Sequence, residues 1–319
     1  MRVAVASRSF SKHPVLRAEL LERFPGATFN DAGTSLAGRE LIAFLKGHDA
    51  AVTALERLDD ALFAALPDLR VIGKYGVGLD MIDLDAMRRR GVRLGWTGGV
   101  NRRSVSELVI CMAIALLRLV PKGNLEVRAG GWRQLQGRYL SGRTVGIVGC
   151  GHIGQDLAPL LKAFDCRVLA HDIRDFAEFH AANGIEAVGL DELLTRSDIV
   201  TLHLPLDPST TNILSAERLA RLRPDAILIN CARGGLVDEA ALKAMLMDGR
   251  LAGAGLDVFN GEPPDDRELL NLPNLLATPH IGGSAEEAVL AMGRAAIAGL
   301  TEAVVPGPES EAWRAAGLR

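Results

Sequence analysis

Short apolar runs alternate with amphipathic stretches along most of the chain. Residues 3–6, 50–53 and 71–74 are compact runs rich in Val, Ile and Ala, the pattern of buried strands. Residues 15–24, 41–46, 59–65 and 84–90 place apolar side chains three and four apart, the spacing of a helix with one buried face. Gly98-Gly99 breaks the alternation, and a long helix follows over about 104–119, with Ser104 or Asn101 as N-cap. A polar, glycine-rich connector carrying Trp132 and Tyr139 fills 130–143. The exchange then resumes, with strands predicted over 145–148, 167–170, 197–205, 226–230, 252–259 and 275–278. The helices between them fall at 153–164, 190–196, 216–222 and 239–248. Such alternation predicts an α/β protein with parallel sheets. The tail from Pro306 is polar and rich in Ala and Gly, and fraying is expected there.

One junction carries chemistry. The run ending at Val148 meets Gly149-Cys150-Gly151-His152-Ile153-Gly154, then a helical pattern, then a second strand ending at Asp172. A glycine triplet between strand and helix, with an acidic residue 18 positions after its last glycine, is the dinucleotide-binding fingerprint. Gly149 permits the tight turn, Gly151 lets the backbone approach a pyrophosphate at the helix N-terminus, and Gly154 lets helix and strand pack closely. Asp172 can accept from an adenosine ribose and repels a 2′-phosphate, which predicts NAD rather than NADP; Arg174 softens that preference. The alternative is an ordinary strand-to-helix turn with no ligand. Pro159 lies inside the predicted helix, where it removes one backbone bond and would kink the middle.

The bulk numbers narrow the class. The 319 residues suggest two domains. Hydrophobic content of 48% and charged content of 24% are those of a globular protein. A net charge of −3 implies no nucleic-acid partner. The run 108–117, closed by Glu107 and Arg118, is too short to span a bilayer. Cys111, Cys150, Cys166 and Cys231 show no paired or metal-ligand spacing, so reduced thiols in the cytoplasm and no metal are expected. A strand begins at once after Met1, so no secretory leader is expected.

Three polar residues follow strand-like segments in the second half: Arg233, Glu262 and His280. Strand ends of one doubly wound sheet line one crevice. An arginine can grip a carboxylate with two parallel hydrogen bonds, a histidine can exchange a proton with a carbonyl oxygen, and a carboxylate can orient that histidine. Taken singly, each is better read plainly: a surface cap, a solvated loop acid, a satisfied loop histidine. Earlier in the chain, Lys74-Tyr75-Gly76-Val77-Gly78 ends a strand in a glycine-containing loop, either a ligand loop or a plain turn.

Longer motifs add to these residues. The segments 230–238 (NCARGGLVD), 253–259 (GAGLDVF) with Glu262-Pro263, and 278–283 (TPHIGG) resemble the D-isomer-specific 2-hydroxyacid dehydrogenases. So do Gly76-Val77-Gly78-Leu79-Asp80 and Ser104-Val105-Ser106-Glu107-Leu108. The resemblance implies two α/β domains, a Rossmann NAD-binding domain inserted in a flavodoxin-like catalytic domain, with the active site in the cleft between them. Its boundaries would be 1–98 with 284–319 for the catalytic domain and 99–283 for the NAD-binding domain. It implies Arg233 as the substrate arginine, Glu262 as the histidine partner and His280 as the general acid/base. Tyr75, Gly76, Val77 and Gly78 match the loop whose amides hold the substrate carboxylate. Cys231 and Asp257, with Ala232 and Gly283 beside them, match positions near the nicotinamide. His152, Ile153, Asp172, His203 and Pro205 match positions along the rest of NAD. A homodimer paired through the NAD-binding domains is also implied.

Departures from the pattern leave the substrate open. Trp96-Thr97-Gly98-Gly99 stands where Asn-Thr-Pro-Gly is usual, and Asp165 where a glycine often closes the first Rossmann helix. Thr53 replaces an arginine that some phosphoglycerate dehydrogenases use for the substrate phosphate; Arg102 and Arg103 could serve instead. No regulatory module is expected after residue 305. D-3-phosphoglycerate, glyoxylate or hydroxypyruvate, and bulkier 2-keto acids remain open, with Tyr75, Trp96, Arg102 and Arg103 expected to decide. Phosphite oxidation uses the same three residues. A non-catalytic NADH-sensing corepressor on this fold is the reading from another class.

Overall fold

The computed structural model describes residues 1–318. The chain forms two compact units, Met1–Asn101 together with the segment from Glu286, and Arg102–Ala285. Each is an α/β body with its own parallel sheet.

The first unit contains β1 (Val3–Val5), β2 (Thr28–Phe29), β3 (Ala50–Thr53), β4 (Val71–Lys74) and β5 (Arg93–Gly95) in the spatial order β2-β1-β3-β4-β5. All pairings are parallel, so this is the flavodoxin-like order. Successive strand side chains point to opposite faces, and both faces are buried. Val3, Val5, Val52 and Val71 pack with Phe10, Leu16, Leu20, Ala296 and Leu300. Ala4, Ala51, Ile72 and Leu94 pack on the other side with Leu41, Leu62, Met87 and Trp313. The helix Glu286–Glu302 therefore returns from far along the chain to cover one face. It comes so close that a Cβ on Gly95 would lie 2.2 Å from the carbonyl oxygen of Gly299. Only glycine permits that backbone-to-backbone contact.

The second unit holds β6 (Thr144–Val148), β7 (Arg167–His171), β8 (Glu186–Ala187), β9 (Ile199–Leu202), β10 (Ile227–Asn230), β11 (Gly253–Leu256) and β12 (Leu275–Ala277). Their order is β12-β11-β10-β9-β6-β7-β8, all parallel, which is the Rossmann arrangement with one added strand. Val145, Ile147, Ile199 and Ile229 pack against Met112, Leu157 and Leu161 on one side. Val148, Val200, Leu202 and Leu228 pack against Leu193, Leu242 and Leu246 on the other. The strand order reverses between β6 and β9, and the nucleotide loop opens at that point.

Several expectations need correction. The tail does not fray: Ser310 caps a helix over Glu311–Ala315, and Trp313 is 4% exposed beneath the Arg88 guanidinium at 5.7 Å. Ser104 is not an N-cap, because the long helix spans Arg102–Leu117 and Ser104 lies within its first turn. Its hydroxyl donates to Gly282 O at 2.6 Å and accepts from Ala285 N at 3.2 Å, tying down the segment after β12. A separate helix, Val120–Arg128, follows in a stretch for which no element was predicted. The helix His152–Ala163 runs without interruption through Pro159. Asp165 takes the left-handed conformation (φ +58) that glycine would favour there, a conformation Asp tolerates better than most residues. No single helix among the described residues is long and apolar enough to cross a membrane.

Candidate active site

The nucleotide end of the site is built by β6, β7 and β9. Gly149 has φ +97, and a Cβ there would lie 2.5 Å from the carbonyl oxygen of His203, so the turn can only be made by glycine. Its N–H donates to His171 O at 2.8 Å, and His203 N donates to Val148 O at 2.8 Å, which locks the three strand ends in register. The helix His152–Ala163 starts at Gly151 with no side-chain cap, leaving its first amides for an anion. Asp172 follows β7 with a nearly enclosed side chain. One carboxylate oxygen accepts from Cys150 N at 2.7 Å, the other from Arg174 N at 2.9 Å and Arg174 Nε at 3.3 Å. Arg174 Nη2 adds a fourth bond at 3.5 Å, so the roughly four acceptor sites of the carboxylate are engaged, and a ribose would take the place of the exposed Arg174 side chain. Arg174 lies over the Phe176 ring at 4.9 Å. These features fit NAD: an uncapped helix start for the pyrophosphate, and an acid at the second strand end.

His203 is half-buried as a residue, but its ring nitrogens are enclosed. Nε2 pairs with Thr201 Oγ1 at 3.0 Å, and Nδ1 has no hydrogen-bond partner among the described residues. Burial pushes the imidazole down to about 3, so the ring is neutral at physiological pH. Burial, with a contribution from Asp172, raises the Cys150 thiol to about 11, and burial also raises the thiol of Cys231. Neither is a nucleophile. Pro205 is exposed in the loop after β9.

The chemical end is built by β10, β11 and β12. Asn230, buried at the end of β10, folds the turn that carries Arg233. Its amide donates to Arg233 O at 2.8 Å, and its carbonyl accepts from Ala232 N at 3.1 Å. The Arg233 guanidinium donates back to Ala232 O at 2.7 Å. Cys231 packs inward, its sulfur 3.7 Å from that of Met112.

After β11 comes Asp257, 1% exposed. Its carboxylate receives the Thr278 hydroxyl at 2.5 Å, Ile281 N at 2.8 Å and Gly282 N at 2.7 Å. Its backbone oxygen receives His280 N at 2.9 Å. A buried carboxylate is tolerated because these donors satisfy it. Together they hold His280 at φ +54, strained for a residue with a side chain. The ring then reaches Glu262: Nδ1 lies 2.8 Å from Oε2, while the other Glu262 oxygen accepts from Phe259 N at 3.3 Å. With Nδ1 given to the carboxylate, Nε2 is the nitrogen that can face a reactant. Asp257 was expected beside the nicotinamide; its observed contacts organise the loop that carries His280.

In the first unit, Tyr75 follows β4. Its N–H donates to Thr53 O at 2.8 Å, and its ring meets Phe10 edge-on at 5.4 Å. Burial raises the phenol above its ordinary range. Tyr75 is thus a core side chain. No backbone hydrogen bond among the described residues uses the amides of Gly76, Val77 or Gly78.

Arg102 and Arg103, anticipated as phosphate contacts, both reach Asp156 on the helix His152–Ala163. Arg103 does so with two bonds of 2.9 and 3.0 Å, Arg102 at 3.8 Å. Burial works to raise the Asp156 carboxyl, but the bonds and charge of Arg103 outweigh it and the group is held below its ordinary range.

Comparison with known proteins agrees with this geometry. Residues 110–282 match the family described as D-isomer specific 2-hydroxyacid dehydrogenase, NAD binding domain. The chain is 37% identical over 267 residues to the D-3-phosphoglycerate dehydrogenase of Methanocaldococcus jannaschii, covering 82% of this chain and 51% of that protein. It spans about half the length of the phosphoglycerate dehydrogenases it matches. A glyoxylate reductase from Paecilomyes thermophila superposes with a TM-score of 0.83 at 27% identity, over 93% of each chain. The pyruvate reductase of Chlamydomonas reinhardtii does so with a TM-score of 0.79 at 31% identity, over 93% of this chain and 94% of that one.

Proposed function

The chain belongs to the D-isomer specific 2-hydroxyacid dehydrogenases, and from that premise we propose that it interconverts a 2-keto acid and the corresponding 2-hydroxy acid with NAD(H). The observation that carries this reading is the 2.8 Å pair between His280 Nδ1 and Glu262 Oε2, held at the strand ends of the NAD-binding unit.

When bound, NADH supplies the hydride to the keto carbon. Arg233 grips the substrate carboxylate and polarises the neighbouring carbonyl, which geometry and permanent charge suit it to do. His280 gives its Nε2 proton to the carbonyl oxygen as that oxygen gains charge, and takes it back in oxidation. Glu262 fixes the ring orientation through Nδ1. The amides of Gly76, Val77 and Gly78, which no backbone acceptor among the described residues takes, also bind the carboxylate, and Tyr75 begins that loop. Gly149, Gly151, His152, Ile153, Gly154 and Asp172 bind the adenosine and pyrophosphate. His203, Pro205, Cys231, Ala232, Asp257 and Gly283 border the remainder of the cofactor.

The pairing of Arg102 and Arg103 with Asp156, and Thr53 in place of an arginine, favour an unphosphorylated 2-keto acid over phosphoglycerate. The exposed apolar side chains Val120, Leu125, Val127, Trp132 and Tyr139 support pairing of two copies. Four free cysteines suit the reducing cytoplasm.

The test is NADH oxidation with glyoxylate, hydroxypyruvate, phosphohydroxypyruvate, pyruvate and phenylpyruvate, for the wild type, His280→Ala and Arg233→Ala. Turnover that collapses in both variants supports the reading. NADH binding with no turnover of any acid, and none with phosphite and NAD, would replace it with an NADH sensor. Sedimentation of the purified protein checks the dimer.

A further inference from the structure

The loop after β4 is held by two side chains, Lys74 and Trp96. Lys74 ends β4 and is 3% exposed, so its chain does not extend to water as strand-end lysines usually do. Its ammonium turns inward, donating to Ala54 O at 2.5 Å and to Tyr75 O at 3.4 Å. Ala54 is itself anchored, its N–H donating to Glu56 Oε2 at 2.6 Å. Two residues beyond Tyr75, the indole N–H of Trp96 donates to Val77 O at 3.0 Å.

The consequence follows from peptide geometry. In a trans peptide the C=O of one residue and the N–H of the next point in opposite directions. A donor that captures Tyr75 O therefore turns the N–H of Gly76 the other way, and one that captures Val77 O does the same for Gly78. Gly76 accommodates the reversal at φ +117, where a Cβ would meet Lys74 Nζ at 3.4 Å. Each of the two amides is thus turned away from its donor, and neither has a backbone acceptor among the described residues.

We propose that Lys74 and Trp96 are positioning residues for substrate. They orient the Tyr75–Gly76 and Val77–Gly78 peptides so that the Gly76 and Gly78 amides form a nest for the carboxylate of a 2-keto acid. The inference rests on the reading that this loop takes the substrate carboxylate. Trp96, a departure from the family's usual motif, does by one hydrogen bond what loop packing alone would leave loose. Both residues act through the backbone and contact no reacting atom.

The experiment compares Trp96→Phe, which keeps a ring and removes the donor, with Lys74→Met and Lys74→Gln, the latter keeping a donor without charge. Steady-state kinetics on the best 2-keto acid are paired with calorimetric binding of oxalate, an unreactive analogue, to the NADH-bound protein. Trp96→Phe and Lys74→Met should each raise KM and the oxalate Kd about tenfold, with kcat within about threefold and NADH affinity unchanged. Lys74→Gln should fall between Lys74→Met and the wild type. A merely structural role would lower the melting temperature and move kcat, KM and NADH affinity together. Unchanged oxalate Kd in Trp96→Phe and Lys74→Met would overturn the proposal, and so would failure of the wild type to bind oxalate. If the wild type binds oxalate but reduces no acid, the dehydrogenase reading fails while the oxalate affinities still decide the nest.

Discussion

His280 and Asp257 are joined through their backbones, His280 N to Asp257 O at 2.9 Å, while the Asp257 carboxylate takes the amides of the two residues that follow His280. The loop turn and the histidine are therefore one structure. Asp257→Asn replaces an acceptor oxygen by a donor facing an N–H. Hydrogen bonds to a charged group contribute about 1.5–3 kcal/mol each, so about 2 kcal/mol of stability should be lost, with kcat falling at least tenfold. Urea unfolding and steady-state kinetics check both.

Glu262→Gln keeps a hydrogen-bonding side chain and removes the charge. The pair with His280 is half exposed, and such pairs contribute little to stability. The melting temperature should hold while kcat/KM falls on the order of a hundredfold, the scale of general acid–base assistance.

Gly149→Ala puts a Cβ where His203 O lies 2.5 Å away, at a φ of +97. The strand end must shift, and the helix start with it. NADH affinity, followed by its fluorescence, should drop at least tenfold.

The enclosed His203 ring gives acid sensitivity of known sign. In the unfolded chain the ring binds a proton below about 6.5, in the native chain only near about 3. Its contribution is complete above pH 6.5 and lost progressively as pH falls toward 3, at up to about 1.4 kcal/mol per pH unit. His203→Gln should make the decline of unfolding free energy between pH 6 and pH 4 shallower by that slope at most. Urea titrations across the window measure it.

Trp313→Ala should cost about 3–5 kcal/mol, the range for removing a large buried aromatic. It should also free the helix Glu311–Ala315 to proteolysis. Trp313 packs with Leu62 and Met87 of the first unit, so the loss should appear in the unfolding of that unit.

Much of this architecture could be read from periodicity because its strands are buried on both faces. β3, β4 and the helix Leu84–Arg90 have the bounds that their apolar spacing predicts. β2 and β8 escaped because two-residue edge strands carry too few buried side chains to make a pattern: Thr28, Glu186 and Ala187 are exposed. The helix Val120–Arg128 escaped because none of its residues is buried. The tail misled because its composition is polar while one residue, Trp313, supplies the anchoring contact. Arg233, Glu262 and His280 were legible through their flanking glycines and prolines. The contacts of Lys74, Trp96 and Ser104 were not, since each donates to a backbone carbonyl, and which carbonyl lies within reach is decided by folding rather than by spacing.

The return of the helix Glu286–Glu302 to cover β3, β4 and β5 has a consequence for synthesis. The first hundred residues leave the ribosome with one sheet face only partly covered, Val52 and Val71 among it, and the helix that completes that cover emerges after the inserted unit. The contiguous unit Arg102–Ala285 has all its own layers in hand before then. Folding during translation should therefore run from the inserted unit outward, reversing the usual N-terminus-first order. The nascent N-terminal segment is the part of the chain that most needs a chaperone while it waits.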